Sequence, residues 1–209
     1  QGDYIWGHVS VRRPGEDTFW LKGGGLGLEE VVPTDMVQLT MDGKVLDGTR
    51  GRHKEWPIHA GILKARPDVN CVVHTHPMHS IAFAATGEPL RAVGHDGVRF
   101  TPPDLPRFDY TTDLITTADL GDRLAQALGP RDAVFMLNHG VAVAGPDIAS
   151  AVINAIFLER ACQIQLLAMA TGKPYRWTPD DEALAKRHSL NDPSPSYDTV
   201  WQYFKRRLK

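Results

Sequence analysis

Hydrophobic and polar positions change period several times along this chain, and each change predicts an element. His8–Arg12 alternates with period two, as does Thr18–Leu21 beyond the turn Pro14-Gly15-Glu16-Asp17, which reads as a hairpin. Met36–Met41 and Lys44–Leu46 flank Asp42-Gly43, a second hairpin. From Ile58 to Arg66 the period becomes helical, with Ile58, Ile62 and Leu63 on one face and Pro57 suited to the first position. The β-branched run Val72-Val73 predicts an interior strand ended by Pro77, followed by a short helix from His79 to Ala85 that stops at Gly87. Thr117–Leu128 predicts a helix with Leu120, Leu124 and Leu128 as its stripe, capped by Gly129. Ala133–Leu137 and Val141–Ala144 read as buried strands. Pro146-Asp147 then opens a long helix to about Ala170, with Ile148, Val152, Ile156, Ile164 and Leu167 as its apolar stripe.

Two stretches break these rhythms. Glu88–Thr112, rich in Pro and Gly, is too long for a tight connection and predicts a lid or binding loop. Residues 175–209 are polar and aromatic, with short helices expected over Asp180–His188 and Ser196–Leu208. Their Trp177, Tyr197, Trp201, Tyr203 and Phe204 are expected to pack on the domain or on a neighbouring subunit. The fold class is therefore α/β, with helices covering a mixed, largely antiparallel sheet in residues 1–174, and a helical extension over 175–209.

Composition narrows the function classes. At 209 residues, 42% hydrophobic and 23% charged, the chain has the balance of a globular protein with a sizeable core. A net charge of −2 gives no electrostatic reason to expect nucleic acid or a membrane surface as partner. No window approaches ~18 uninterrupted apolar residues, so no transmembrane helix is expected. Cys71 and Cys162 lie in apolar segments and read as buried free thiols of a reducing compartment, with cytoplasmic location the default. The chain opens at Gln1-Gly2-Asp3 without a methionine, consistent with a trimmed start.

The chemistry concentrates in histidines. Residues i and i+2 of a strand share a face, so His74 and His76 in Val72-Val73-His74-Thr75-His76-Pro77 can offer two imidazoles to one point. His139, between two strand-like runs, is a candidate third. Three neutral imidazoles with an open position make a catalytic divalent-metal site; on spacing alone, hydrogen-bonded or surface histidines remain the alternative. Glu55, just ahead of a helix, either serves the helix dipole or acts as an acid/base group. His59 reads as a hydrogen-bonded histidine behind the site. Gly23-Gly24-Gly25 leaves backbone N–H groups uncovered for a ligand, or is a flexible loop. Trp20, Trp56, Phe100, Phe108 and Tyr110 suit a flat ring or the core.

Taken in order, Gly7-His8-Val9-Ser10, Lys22–Gly27, Glu55-x-x-x-His59, His74-Thr75-His76-Pro77, Asp109-Tyr110-Thr111 and Asn138-His139-Gly140 resemble the class II aldolase/adducin family. The resemblance implies a three-layer α/β/α domain around an antiparallel sheet. It implies His74, His76 and His139 as ligands of a divalent metal (zinc, manganese, iron or cobalt) and Glu55 as the acid/base group, with His53 and Tyr110 as further catalytic candidates. It also implies a homo-oligomer, a tetramer with sites between subunits. The chain departs from phosphate-handling relatives at His8, where they carry Asn, and at His53-Lys54, where they carry small hydroxyl residues. Lysine neutralises a carboxylate as a point charge, so a small-molecule carboxylate is expected, held by Lys54 and His8 with Gly24, Gly25 and Trp56 around it.

The expectation is a metal-dependent carbon–carbon lyase that decarboxylates an ortho-hydroxy aromatic or pyridine dicarboxylate. Aldol cleavage of a hydroxy-ketone or sugar phosphate is the alternative within the same chemistry. A three-histidine iron oxygenase and a non-catalytic adducin-like interaction module are alternatives of other classes.

Overall fold

A computed structural model describes residues 3–191 and 196–208. Gln1, Gly2, and residues 192–195 and 209 of the expected C-terminal extension lie outside the described residues. Eight strands form one sheet: β1 His8–Val11, β2 Thr18–Lys22, β3 Met36–Thr40, β4 Val45–Asp47, β5 Cys71–Thr75, β6 Arg107–Phe108, β7 Ala133–Met136 and β8 Gly140–Gly145. Their order is β4-β3-β2-β1-β5-β8-β7-β6, and every neighbouring pair is antiparallel except β6 with β7. Helices α1 Trp56–Ala65, α2 Met78–Thr86, α3 Gly94–Val98, α4 Ala118–Leu128 and α5 Ile148–Met169 cover the two faces, and α6 Asp180–Asn191 and α7 Ser196–Arg207 follow.

Strand alternation sorts the core into two layers. On one face Val72, Val134, Met136, Ala142 and Ala144 meet Ile58, Ile62 and Leu63 of α1 and Leu124 and Leu128 of α4. On the other, Cys71, Val73, Phe135, Val141 and Val143 meet Phe83 of α2 and Ala151, Ala155, Leu158 and Cys162 of α5. β5 is buried along its whole length, as a near-continuous apolar run requires of a central strand covered on both sides. His74 shares the face of Val72, so the histidine strand presents its chemistry toward α1 and α4.

α1 and α4 cross closely because both contribute glycine: a Cβ on Gly121 would enter the backbone of Pro57, and one on Gly61 the backbone of Gly121. At the other end of α1, the buried Arg12 donates to Leu63 O (2.8 Å) and Arg66 O (3.0 Å), tying the C-terminal end of the helix to the end of β1.

Two expectations need correction. The residues of α5 in the core beside the sheet are Ala151, Ala155, Leu158, Ala161 and Cys162, with Val152 of the expected stripe packed against them, whereas Ile148 and Leu167 are 40% and 65% exposed. α5 is apolar on both sides, so its periodicity did not mark the face taken by the core; by length and composition alone it could also cross a membrane. The Glu88–Thr112 stretch is not patternless, since α3 and the edge strand β6 lie within it and Phe100, Leu105 and Phe108 are core residues. Its last residue, Thr112, lines the cavity described next, together with Leu114 just beyond it.

Candidate metal centre

Three pieces of backbone converge at the end of β5. The strand delivers His74 on the α1 face, and His76 follows one residue past the strand, before Pro77 caps α2. The β7–β8 hairpin closes through Leu137, Asn138 and His139, with His139 N donating to Met136 O (3.0 Å). Asn138 takes φ +55°, a left-handed conformation that asparagine tolerates better than most residues. A Cβ on Gly140 would sit 2.5 Å from Thr75 O and 3.1 Å from His76 Cδ2, so glycine there lets the hairpin close against the histidine strand. Glu55 occupies the N-cap of α1 without capping it; its Oε1 instead accepts the Ile115 N–H (2.9 Å).

The donor atoms of Glu55, His74, His76 and His139 all lie within 4.8 Å of one another, a group that could hold a metal ion. Their hydrogen bonds say more. His74 Nδ1 faces Val141 O at 3.0 Å, and His76 Nδ1 faces Asp3 Oδ1 at 3.1 Å. Each Nδ1 is therefore a donor, which in a neutral ring leaves Nε2 as a lone pair. Those two Nε2 atoms stand 3.2 Å apart, so in neutral rings two lone pairs face each other. A tetrahedral ion with bonds of ~2.0–2.1 Å spaces its nitrogen ligands by about 3.3 Å, so a cation turns this repulsive pair into a favourable one. His139 is buried with neither ring nitrogen hydrogen-bonded, and its Nε2 lies 3.5 Å from Glu55 Oε1. Three imidazoles and a carboxylate thus fit a divalent ion.

The electrostatics agree. Burial lowers the pKa of His74 well below 6.5, with His8 adding to the shift. Burial alone would raise Glu55, but the nearby imidazoles of His139 and His74 and the Ile115 N–H outweigh it and hold the carboxyl at about 2. Glu55 is therefore ionised. Glu55 does not rest as a protonated donor and must first accept a proton to give one; Trp56 does not raise its pKa, since the ring packs against the core and under Arg52, whose guanidinium stands 5.1 Å from the ring centroid.

A second layer of histidines backs the site. His8, paired in register with His74, bonds through Nδ1 to His59 Nε2 (2.6 Å), and His59 Nδ1 reaches Ser10 Oγ (2.7 Å). The His53 ring lies 3.9 Å from that of His8. Burial pushes His53 down to about 4 and His59 to about 3, so the layer is neutral. His59 is thus a hydrogen-bonded residue behind the centre.

A cavity of about 520 Å³ opens over the cluster, lined by Trp6, His53, Lys54, Glu55, His76, Thr112, Leu114, Asn138 and His139. Of the candidate residues, His53, Lys54, Glu55, His76 and His139 line it and His74 lies beneath. The rest are placed elsewhere. His8 is fully buried behind Glu55 and does not line the cavity. Gly24 and Gly25 do not line it either: Gly24 N donates to Gly51 O (2.9 Å), stitching the glycine loop to the 50–54 segment. Tyr110 is 60% exposed beneath Arg123 and faces a separate hollow with Arg107 and Phe108. None of the five aromatic residues expected around a flat ring reaches the cavity; its apolar walls are Trp6 and Leu114. Asp3, Trp6, Leu114 and Ile115 carried no sequence signal, because each reaches the site through the fold and not through a motif.

Residues 2–166 match the class II aldolase and adducin N-terminal domain. The chain is 32% identical over 177 residues to decarboxylase NovR of Streptomyces niveus, covering 82% of this chain and 64% of that one. It is also 32% identical over 173 residues to a 4-hydroxy-3-prenylphenylpyruvate oxygenase/4-hydroxy-3-prenylbenzoate synthase of Streptomyces roseochromogenus subsp. oscitans, covering 81% and 62%. It therefore spans less than two thirds of either relative. Similarity to the 3,4-dihydroxyphthalate decarboxylase of Arthrobacter keyseri is 27% over 213 residues, covering 96% and 84%. The L-fuculose 1-phosphate aldolase of Glaciozyma antarctica PI12 superposes with a TM-score of 0.83 at 29% identity, covering 97% of this chain and 79% of that structure. The chain belongs to the class II aldolase and adducin family.

Proposed function

We propose that this protein is a metal-dependent decarboxylase of an ortho-hydroxy aromatic or pyridine dicarboxylate. The observation that carries the reading is a cluster of three imidazoles and a carboxylate opening on a cavity with a lysine at its mouth. His74, His76 and His139 would hold the ion. Bound there, a divalent ion supplies a Lewis acid for the charge that develops on the ring oxygen. Lys54, exposed on the cavity wall, neutralises the second carboxylate, and Trp6 and Leu114 flank the ring. Ionised Glu55 takes the proton of the ring hydroxyl as substrate binds. The carbon–carbon bond to the leaving carboxylate then breaks, its electron pair stays on the ring, and Glu55 returns the proton to that carbon as carbon dioxide departs. The two decarboxylases among the relatives support this reading.

The structural likeness to L-fuculose 1-phosphate aldolase supports a second reading, cleavage of a hydroxy-ketone with Glu55 moving the proton at the adjacent carbon. A substrate panel separates them: carbon dioxide from ring dicarboxylates supports the first, an aldehyde from hydroxy-ketones or sugar phosphates the second. Oxygen uptake with iron alone would instead favour the chemistry named for the prenylphenylpyruvate relative. A homo-oligomer, a tetramer by family expectation, is part of this reading, and light scattering would test it.

A further inference from the structure

We infer that Asp3 is a positioning residue of the metal centre, acting through His76; the inference rests on the three-histidine reading above. Asp3 is 9% exposed and spends both carboxyl oxygens on one residue. Its Oδ1 and Oδ2 accept the His76 backbone N–H at 3.1 and 3.0 Å, and Oδ1 also faces His76 Nδ1 at 3.1 Å. The fold makes room for this. A Cβ on Gly7 would come 2.5 Å from Asp3 Oδ2, so the glycine ahead of β1 leaves the space in which the carboxyl sits. The segment carrying Asp3 is pinned again by the buried Lys22, whose Nζ donates to Ile5 O (3.0 Å) and to Leu26 O.

His76 needs such a partner more than His74 does. His74 lies within β5, where the strand fixes its backbone and Val141 O fixes its ring. His76 stands beyond the strand, with a side chain 21% exposed, and Asp3 is the partner of both its backbone N–H and its Nδ1. An acceptor at Nδ1 fixes the proton there, leaves Nε2 bare, and raises the basicity of that nitrogen toward a metal. Without Asp3, the ring is free to turn and to carry its proton on Nε2, which cannot then bind.

The test is the affinity of metal-free protein for zinc, measured by competition with a chromogenic chelator, in wild type, Asp3→Asn, Asp3→Ala, His74→Ala and His139→Ala. Long-range ¹H–¹⁵N spectra of the histidine rings in the metal-free protein accompany it. The expected result is a ~10–100-fold loss of affinity in Asp3→Ala, a smaller loss in the near-isosteric Asp3→Asn, and a His76 ring that leaves the pure Nδ1–H form. Unchanged affinity and an unchanged His76 tautomer in both Asp3 variants would overturn the inference, even if thermal stability fell. Zinc binding that also survives His74→Ala and His139→Ala would overturn the three-histidine reading with it, so the two failures are distinguishable.

Discussion

Ile115 donates its backbone N–H to Glu55 Oε1 at 2.9 Å, so the carboxylate at the start of α1 is gripped by the segment leading into α4. Where that carboxylate sits therefore depends on how closely the two helices cross. Gly121 meets the Pro57 backbone at the crossing and has no space for a methyl group. Gly121→Ala is expected to destabilise the protein by about 1–3 kcal/mol and to reduce turnover beyond what the lost stability explains. Denaturant titration alongside assays at a temperature where the variant is folded checks both.

Glu55 is assigned proton transfer, with the three imidazoles sufficient to hold the ion. Glu55→Gln keeps the shape and the acceptor for Ile115 but cannot carry the proton. Metal content is expected to stay at the wild-type level while turnover falls ~10²–10⁴-fold. Full activity with metal bound would remove Glu55 from the chemistry.

Trp6 is the aromatic wall of the cavity, and it is 57% exposed, so little of the core depends on it. Trp6→Ala is expected to raise KM for a ring substrate severalfold, and Trp6→Phe to restore most of it. Equal KM values in all three proteins would mean that the ring lies elsewhere.

Acid should loosen the metal-free protein through its histidines. Burial lowers the pKa of His8, of His53 to about 4, of His59 to about 3, and of His74, while in the unfolded chain each titrates near 6.5. Below that value the unfolded state binds more protons, so stability falls as pH drops, by up to ~1.4 kcal/mol per pH unit for each fully neutral group. Glu55, held at about 2 against 4.5 unfolded, adds stability above 4.5 and loses it only as pH falls toward 2, a lower window. The melting temperature of metal-free protein is thus expected to fall from pH 7.5 to 5.5, less steeply in His59→Gln. A flat profile would contradict neutral burial.

Much of the fold is legible in the order of residues alone. Period-two runs and turn residues locate both hairpins and the histidine strand, because a strand buried on both faces needs an unbroken apolar sequence. His74 and His76 stand out by their spacing, whereas His139 and Glu55 need the family resemblance, since each stands alone in its segment. α5 misleads because it is apolar all round, and the sheet selects its small residues for close approach. Trp56 differs for another reason: neighbours in a motif can point to opposite sides of the backbone, Glu55 into the cavity and Trp56 against the core, while Tyr110 faces a separate hollow. Asp3, Trp6 and Ile115 give no signal, because their roles come from chain segments that meet only in the folded molecule.

The central claim is tested most directly by carbon dioxide release from hydroxylated phthalates and pyridine dicarboxylates. Metal-free protein is reconstituted in parallel with zinc, manganese, iron and cobalt, with hydroxy-ketones and sugar phosphates as controls. The predicted result is metal-dependent release from a ring dicarboxylate, abolished in His74→Ala and strongly reduced in Lys54→Ala. Aldehyde release from a hydroxy-ketone, with no carbon dioxide from any ring acid, would contradict it.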